Sequence, residues 1–233
     1  MAVAHIQSVG AQSSGTVASI AVTFAGAGTA GNLIVAAVIH YQVGVYTVTD
    51  GVNVYIQKVS KTLNNDTASI WGVAAGDNST LTITVTNIGG NKYTSVGAAE
   101  FSGVDTVTAA QTNSNSGTST TPTTGSVTSV GDGALYVAAL AHDNGTVSIT
   151  PDGGFTEIYE NESASNEPIS VIFKIQTSAG ALNPGWTFGS SVGWPACVSE
   201  WEAAAGGGTT RGTPFGHRGT AFNGGRTFHG IIQ

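Results

Sequence analysis

The chain has 233 residues, enough for one large β domain or two small ones and for a real hydrophobic core without covalent staples. Only 9% of residues are charged, and a single cysteine, Cys197, excludes an intrachain disulfide. The net charge of −7 is split: residues 1–205 hold all 14 acidic residues and four lysines, a balance of −10, while residues 206–233 hold Arg211, Arg218 and Arg226 without an acid, a balance of +3.

Met1 to Gln7 carries no basic stretch followed by a long apolar run, so neither a signal peptide nor a membrane span is expected there, and synthesis and assembly in a cytoplasm are. Leu33 to His40 is apolar on both alternating faces, the mark of a central strand covered on both sides, with Gly31 supplying the turn before it. A turn at Asp50-Gly51 follows, then strands near Tyr55–Val59 and Ala68–Ala74. Leu81–Thr86 alternates cleanly, as a half-exposed strand does, and Ser95–Phe101 closes the series. Thr106–Val130 is rich in Thr, Ser and Asn and reads either as a linker or as edge strands crossing to the rest of the chain.

The series then repeats. Gly31 to His40 matches Gly133 to His142 at an offset of 102, and the same offset carries Asp50-Gly51 onto Asp152-Gly153 and Ile70-Trp71 onto Ile172-Phe173. Near the end the offset is 100, with Glu100-Phe101 on Glu200-Trp201. The second set of strands is expected near Phe155–Tyr159, Ile169–Gln176, Trp186–Phe188 and Ala196–Trp201. No segment shows a capped stripe of helical period. The expected fold is therefore all-β: an antiparallel, jelly-roll-like β-sandwich built from two tandem similar halves, residues 1–105 and 106–205.

Residues 206–233 read as a glycine-rich cationic arm. Arg211, Arg218 and Arg226 interleave with Phe215, Phe222 and Phe228, and Ile231 and Ile232 lie near its end. Such a segment is too short and too glycine-rich to build a core of its own. Spaced aromatic anchors with arginines between them are interface chemistry, so these eight residues are the candidate docking set.

Gly31 to Ala37, Val48-Thr49-Asp50-Gly51, Glu100 to Asp105 and Ile149 to Glu157 resemble a β-sandwich module of bacteriophage virion structural proteins, also seen in large secreted bacterial proteins. The resemblance covers residues 15–204, implies the fold, and brings no catalytic residues with it.

Patterns that carry chemistry are scarce. No phosphate-binding loop, zinc-protease motif or nucleophile elbow occurs, so neither catalytic residues, metal nor cofactor are expected. His40 and His142 hold equivalent places and read as marking where a strand meets solvent, since two histidines without a third ligand make no zinc site. Glu157, Glu160, Glu162 and Glu167 lie around a probable loop and read as a solvated acidic surface. Trp71 and Trp201 read as core, paired with Phe173 and Phe101, and Cys197 as a small buried hydrophobe. Trp186, Trp194 and Tyr159 are the candidates for an exposed platform on which a glycan stacks.

The expectation is a non-enzymatic structural protein of a phage virion, a capsid decoration protein, head fibre or tail component that assembles through its arm. Its partners would be copies of itself, a trimer by preference, and other virion proteins. Nucleic acid is not expected, because three scattered arginines on an acidic body hold a duplex weakly. The alternative is a glycan-binding adhesion module.

Overall fold

The computed structural model describes residues 2–42, 44–75, 80–106, 111–142, 147–162 and 168–205. These contain seventeen strands and no helix. The first eight are β1 (Ala4–Gln12), β2 (Ser19–Thr23), β3 (Leu33–Tyr41), β4 (Val45–Thr49), β5 (Ile56–Leu63), β6 (Asp66–Ala74), β7 (Thr82–Ile88) and β8 (Thr94–Ser102). The others are β9 (Thr112–Ser119), β10 (Val127–Ser129), β11 (Leu135–Ala141), β12 (Ile149–Pro151), β13 (Thr156–Asn161), β14 (Ile169–Ile175), β15 (Gly180–Leu182), β16 (Trp186–Phe188) and β17 (Val192–Trp201).

All pairings between strands are antiparallel. The earlier strands form a five-stranded sheet in the order β1-β8-β3-β6-β5 and a three-stranded sheet β2-β7-β4. First and last strands pair and successive strands alternate between sheets, which is jelly-roll winding, except that β5 sits beside β6. The later strands form a sheet that reads β9-β17-β11-β14-β13, the same order position by position, with the pairs β10-β15 and β12-β16 in place of the three-stranded sheet. Thr112–Ser119 is thus an edge strand, not a loose linker.

Three apolar clusters explain why β3 and β11 are apolar on both faces. One face of β3 (Ile34, Ala36, Val38) packs on Val22, Val48, Ile83 and Val85 of the small sheet. One face of β11 (Tyr136, Ala138, Leu140) packs on Val127, Ile149, Trp186 and Phe188. The opposite faces of the two strands meet each other in a third cluster that includes Leu33, Val35, Val137, Phe101, Phe173 and Trp201. The layers run small sheet, large sheet, large sheet, small sheets. Burying a large apolar side chain stabilises by roughly 1.5–3 kcal/mol, so the middle cluster makes the two sandwiches one body.

Ladder register fixes which residues correspond. Leu33 pairs with Phe101 and Leu135 with Trp201, which confirms the match of Phe101 to Trp201. Ala36 pairs with Trp71, whereas Ala138 pairs with Ile172. Trp71 therefore corresponds to Ile172, and the expected match of Trp71 to Phe173 is one residue off. Both edge strands carry a bulge at the same place, between Gln57 and Val59 in β5 and between Glu157 and Tyr159 in β13.

Across the middle cluster, bulk on one side meets its absence on the other. A Cβ on Gly10 would lie 2.1 Å from the Tyr159 ring, and one on Gly72 would lie 3.3 Å from Trp201. Phe101 and Phe173 fill the place related to that of Trp201 and Gly72, with ring centroids 5.2 Å apart at 68°.

Candidate functional site

The eight docking residues, Arg211, Phe215, Arg218, Phe222, Arg226, Phe228, Ile231 and Ile232, lie outside the described residues. The glycan candidates are inside them, and the structure corrects their reading. In β16 the two-residue period turns Trp186 and Phe188 inward and Thr187 outward. Trp186 is 1% exposed and donates its indole N–H to Ser170 Oγ at 3.0 Å. Trp194 is 5% exposed, donates to Ser119 Oγ at 3.0 Å, and has Gly117 packed close to its ring. Neither offers a face to a sugar. Tyr159 is half-buried, its ring against Gly10 between the two large sheets, and its hydroxyl accepts from Asn161 Nδ2 at 3.3 Å.

His40 and His142 do not mark solvent: both are buried. His40 lies edge-on to Tyr46, with Nδ1 3.1 Å from the Gln42 carbonyl, and His142 lies edge-on to Phe188. Burial lowers the His40 pKa to about 4, with Lys92 adding to the effect and the Gln42 contact opposing it, so the ring is neutral at pH 7. Beneath it Tyr46 hydrogen-bonds Ser69, which donates to the Val38 carbonyl at 3.0 Å and accepts from Trp71 Nε1 at 3.0 Å. Burial pushes the Tyr46 phenol up to about 12. Tyr46, Ser69 and Trp71 thus form a hydrogen-bonded polar seam inside a sandwich, while His40 Nε2 has no hydrogen-bond partner among the described residues.

Buried carboxylates are the signal that sequence reasoning missed. Glu100, fully buried in β8, accepts from Asn32 Nδ2 at 2.7 Å, Gln7 Nε2 at 2.6 Å and the Thr29 N–H at 2.9 Å, which ties the turn before β3 to the sheet. Its counterpart Glu200 accepts only a long bond from the Gln111 N–H at 3.3 Å, and its Oε1 has no partner among the described residues. In this half Glu202 binds the loop instead, accepting from the Val130 N–H at 2.8 Å and the Gly131 N–H at 3.1 Å. Burial raises Glu200 to about 7, and neighbouring Glu202 adds to the shift. The glutamate–glutamate repetition at an offset of 100 was legible, but nothing in it told a buried carboxyl from a surface one.

Of the acidic group, Glu157 and Glu160 lie on β13, the first exposed and the second half-buried, and Glu162 is exposed just after it, while Glu167 falls outside the described residues. Burial raises Glu160 to about 7, followed by repulsion from Glu157, with a Ser170 hydrogen bond opposing. Glu162 accepts the Ile149 N–H at 2.5 Å. The acids on this edge strand thus serve the sheet, with one buried enough to hold a proton. Among the described residues no group of three or more His, Cys, Asp or Glu is placed to hold a metal ion. Burial pushes the Cys197 thiol up, away from reactivity.

The outer surface differs between the halves. Val52, Val54 and Ile56 stand 69%, 78% and 63% exposed where β4, the edge of the small sheet, hands over to β5, the edge of the large one. Thr156 pairs with Phe173 as Ile56 pairs with Gly72, so the stretch from Gly51 to Ile56 has the shorter Gly153-Gly154-Phe155-Thr156 as its equivalent in the second half. There Phe155 is half-buried, with the Lys174 ammonium 5.5 Å from its ring centroid. The apolar row therefore belongs to the first half alone.

No helix among the described residues is long and apolar enough to cross a membrane. Comparison with family models, with curated proteins and with solved structures finds no match to this chain.

Proposed function

We propose that the protein is a non-enzymatic structural component of a phage virion, a capsid decoration protein, head fibre or tail component, that assembles with copies of itself and other virion proteins through residues 206–233. The observation that carries this reading is a surface that keeps an exposed apolar row on one half only. Support also comes from the charge split between residues 1–205 and 206–233, and from the landmark segments that resemble virion β-sandwich modules. The mechanism is mechanical. A stiff double sandwich is presented, and a segment without a core of its own spreads contact over a neighbour, many weak contacts adding through multivalency.

The glycan-binding alternative is weakened by the burial of Trp186 and Trp194, which removes two of its three aromatic candidates, Tyr159 being half-buried. Deleting residues 206–233 tests the main reading. Loss of self-association in sedimentation, with an unchanged unfolding midpoint, is the expected result. Full association of the truncated chain would overturn it.

A further inference from the structure

We infer that Val52, Val54 and Ile56 form the seat on which residues 206–233 of a second copy of this chain dock; this rests on the assembly reading above and names the receiving surface. The row is built rather than accidental. The Asp50 carboxylate accepts the Val52 N–H at 3.0 Å, the Asn53 N–H at 2.6 Å and Asn53 Nδ2 at 2.9 Å. Thr49 Oγ1 accepts the Gly51 N–H at 3.0 Å and donates to the Asn53 carbonyl at 2.9 Å. Tyr55, 3% exposed, pins the loop into the core between Val54 and Ile56. The three branched side chains are thereby held outward at little further entropic cost on binding.

The fold does not need them there. The second half closes the same turn with Gly153 and Gly154, has Thr156 where the first has Ile56, and shields its aromatic with Lys174. Three adjacent apolar side chains left in water in one half, and absent from the other, mark a surface kept for a partner.

The occupant follows from charge and from the chain's exit. Phe215, Phe222 and Phe228 are apolar anchors, and apolar anchors need an apolar seat. The Ala204 N–H donates to the Gly103 carbonyl, so the chain leaves the fold where β8 ends. Ile56 stands toward the same end of that sheet, since Ile56 pairs with Gly72, Gly72 with Val35, and nearby Leu33 with Phe101. From there the remaining 28 residues, extended, reach about 90 Å, enough to cross onto another copy. A body balanced at −10 attracts a +3 segment, and one laid across the contact between two copies offsets the repulsion that opposes their association. Reciprocal exchange closes a symmetric oligomer.

The test mixes two variants: one carrying Val54→Cys and lacking residues 206–233, the other full length with Phe222→Cys. A short bis-maleimide is expected to link the two different chains, buried Cys197 staying silent in both. Absence of that link would overturn the seat, and so would a third variant, full length with both Val54→Cys and Phe222→Cys, that links only within its own chain. In parallel, Val54→Asp with Ile56→Asp is expected to weaken self-association at least tenfold, while Val130→Asp, at another exposed valine, leaves it unchanged. If the 206–233 deletion abolishes association and the double substitution does not, the seat is wrong and the assembly reading stands. If the deletion itself changes nothing, the assembly reading falls and the seat with it.

Discussion

Glu100 and Glu200 occupy the same place in the two halves, one paired across its ladder with Ile34 and the other with Tyr136, yet their surroundings differ. Glu100 has three donors aimed at it and binds its own turn. At the position of Asn32 the second half has Ala134, and the loop there has turned to Glu202. Strand order fixes where a carboxyl is buried. The neighbours decide whether it is a strut or a liability, because an ionised group out of water needs donors and an unionised one does not.

The largest effect that would sharpen this comparison is expected from Glu100→Ala. It removes the shared acceptor of Gln7 Nε2, Asn32 Nδ2 and the Thr29 N–H at a part-buried site, and stability to denaturant should fall by about 3 kcal/mol. Equal losses from Glu100→Ala and Glu200→Ala would break the comparison. Next is Gly10→Val, which drives a side chain into the Tyr159 ring and should cost about 2 kcal/mol by overpacking. Tyr159→Ala in the same chain should recover part of that loss, read as a coupling in a double-mutant cycle. Ser170→Ala leaves the Trp186 indole N–H without its acceptor and should cost about 1–2 kcal/mol, visible as a lowered unfolding midpoint.

The smallest effect, of opposite sign, is expected from Glu200→Gln. A carboxyl raised to about 7 in the folded chain, against an ordinary value of 4.5, binds its proton more tightly folded than unfolded. Its contribution is present below pH 4.5 and is lost as pH rises to about 7. The amide should therefore gain about 1 kcal/mol above pH 7 and lessen the loss of stability across that window in denaturant titrations at several pH values, the remainder belonging to Glu160. His40, lowered to about 4, acts in the other direction, because the unfolded chain takes up a proton as pH falls below 6.5 and the folded one does not until about 4.

Much of the scaffold was legible because β3 and β11 are apolar on both faces, a pattern only a doubly covered strand needs. The one-residue error at Trp71 has a definite origin. Offsets of 100 for β5 against β13 and 101 for β6 against β14 show that residues are lost in the turn after Asp50 and one is regained between the next two strands. A sequence comparison without ladders averages over such steps. β1 escaped notice because its exposed residues (Ala4, His5, Ile6) and half-buried ones show no alternation, as suits an edge strand facing a second sheet. The tryptophans were misread for a different reason. Trp186 falls in an expected strand and Trp194 just before another, but only the register of β16 and β17 shows which face is inward. The exposed row at Val52, Val54 and Ile56 could not be told from a buried strand by composition at all.

The reciprocal fit across the middle layer also dictates how the molecule can come apart. In the first half Gly10, Gly72 and Gly97 stand where the second has Ser114, Phe173 and Cys197, and Val59 stands where the second has Tyr159. Two copies of the first half placed back to back would meet with hollows, and two copies of the second would collide at Tyr159 and Trp201. The halves thus recognise each other as the subunits of an obligate heterodimer do, although one polypeptide carries both. During synthesis the earlier half must keep a greasy back uncovered until its complement emerges, and no second earlier half can take that place.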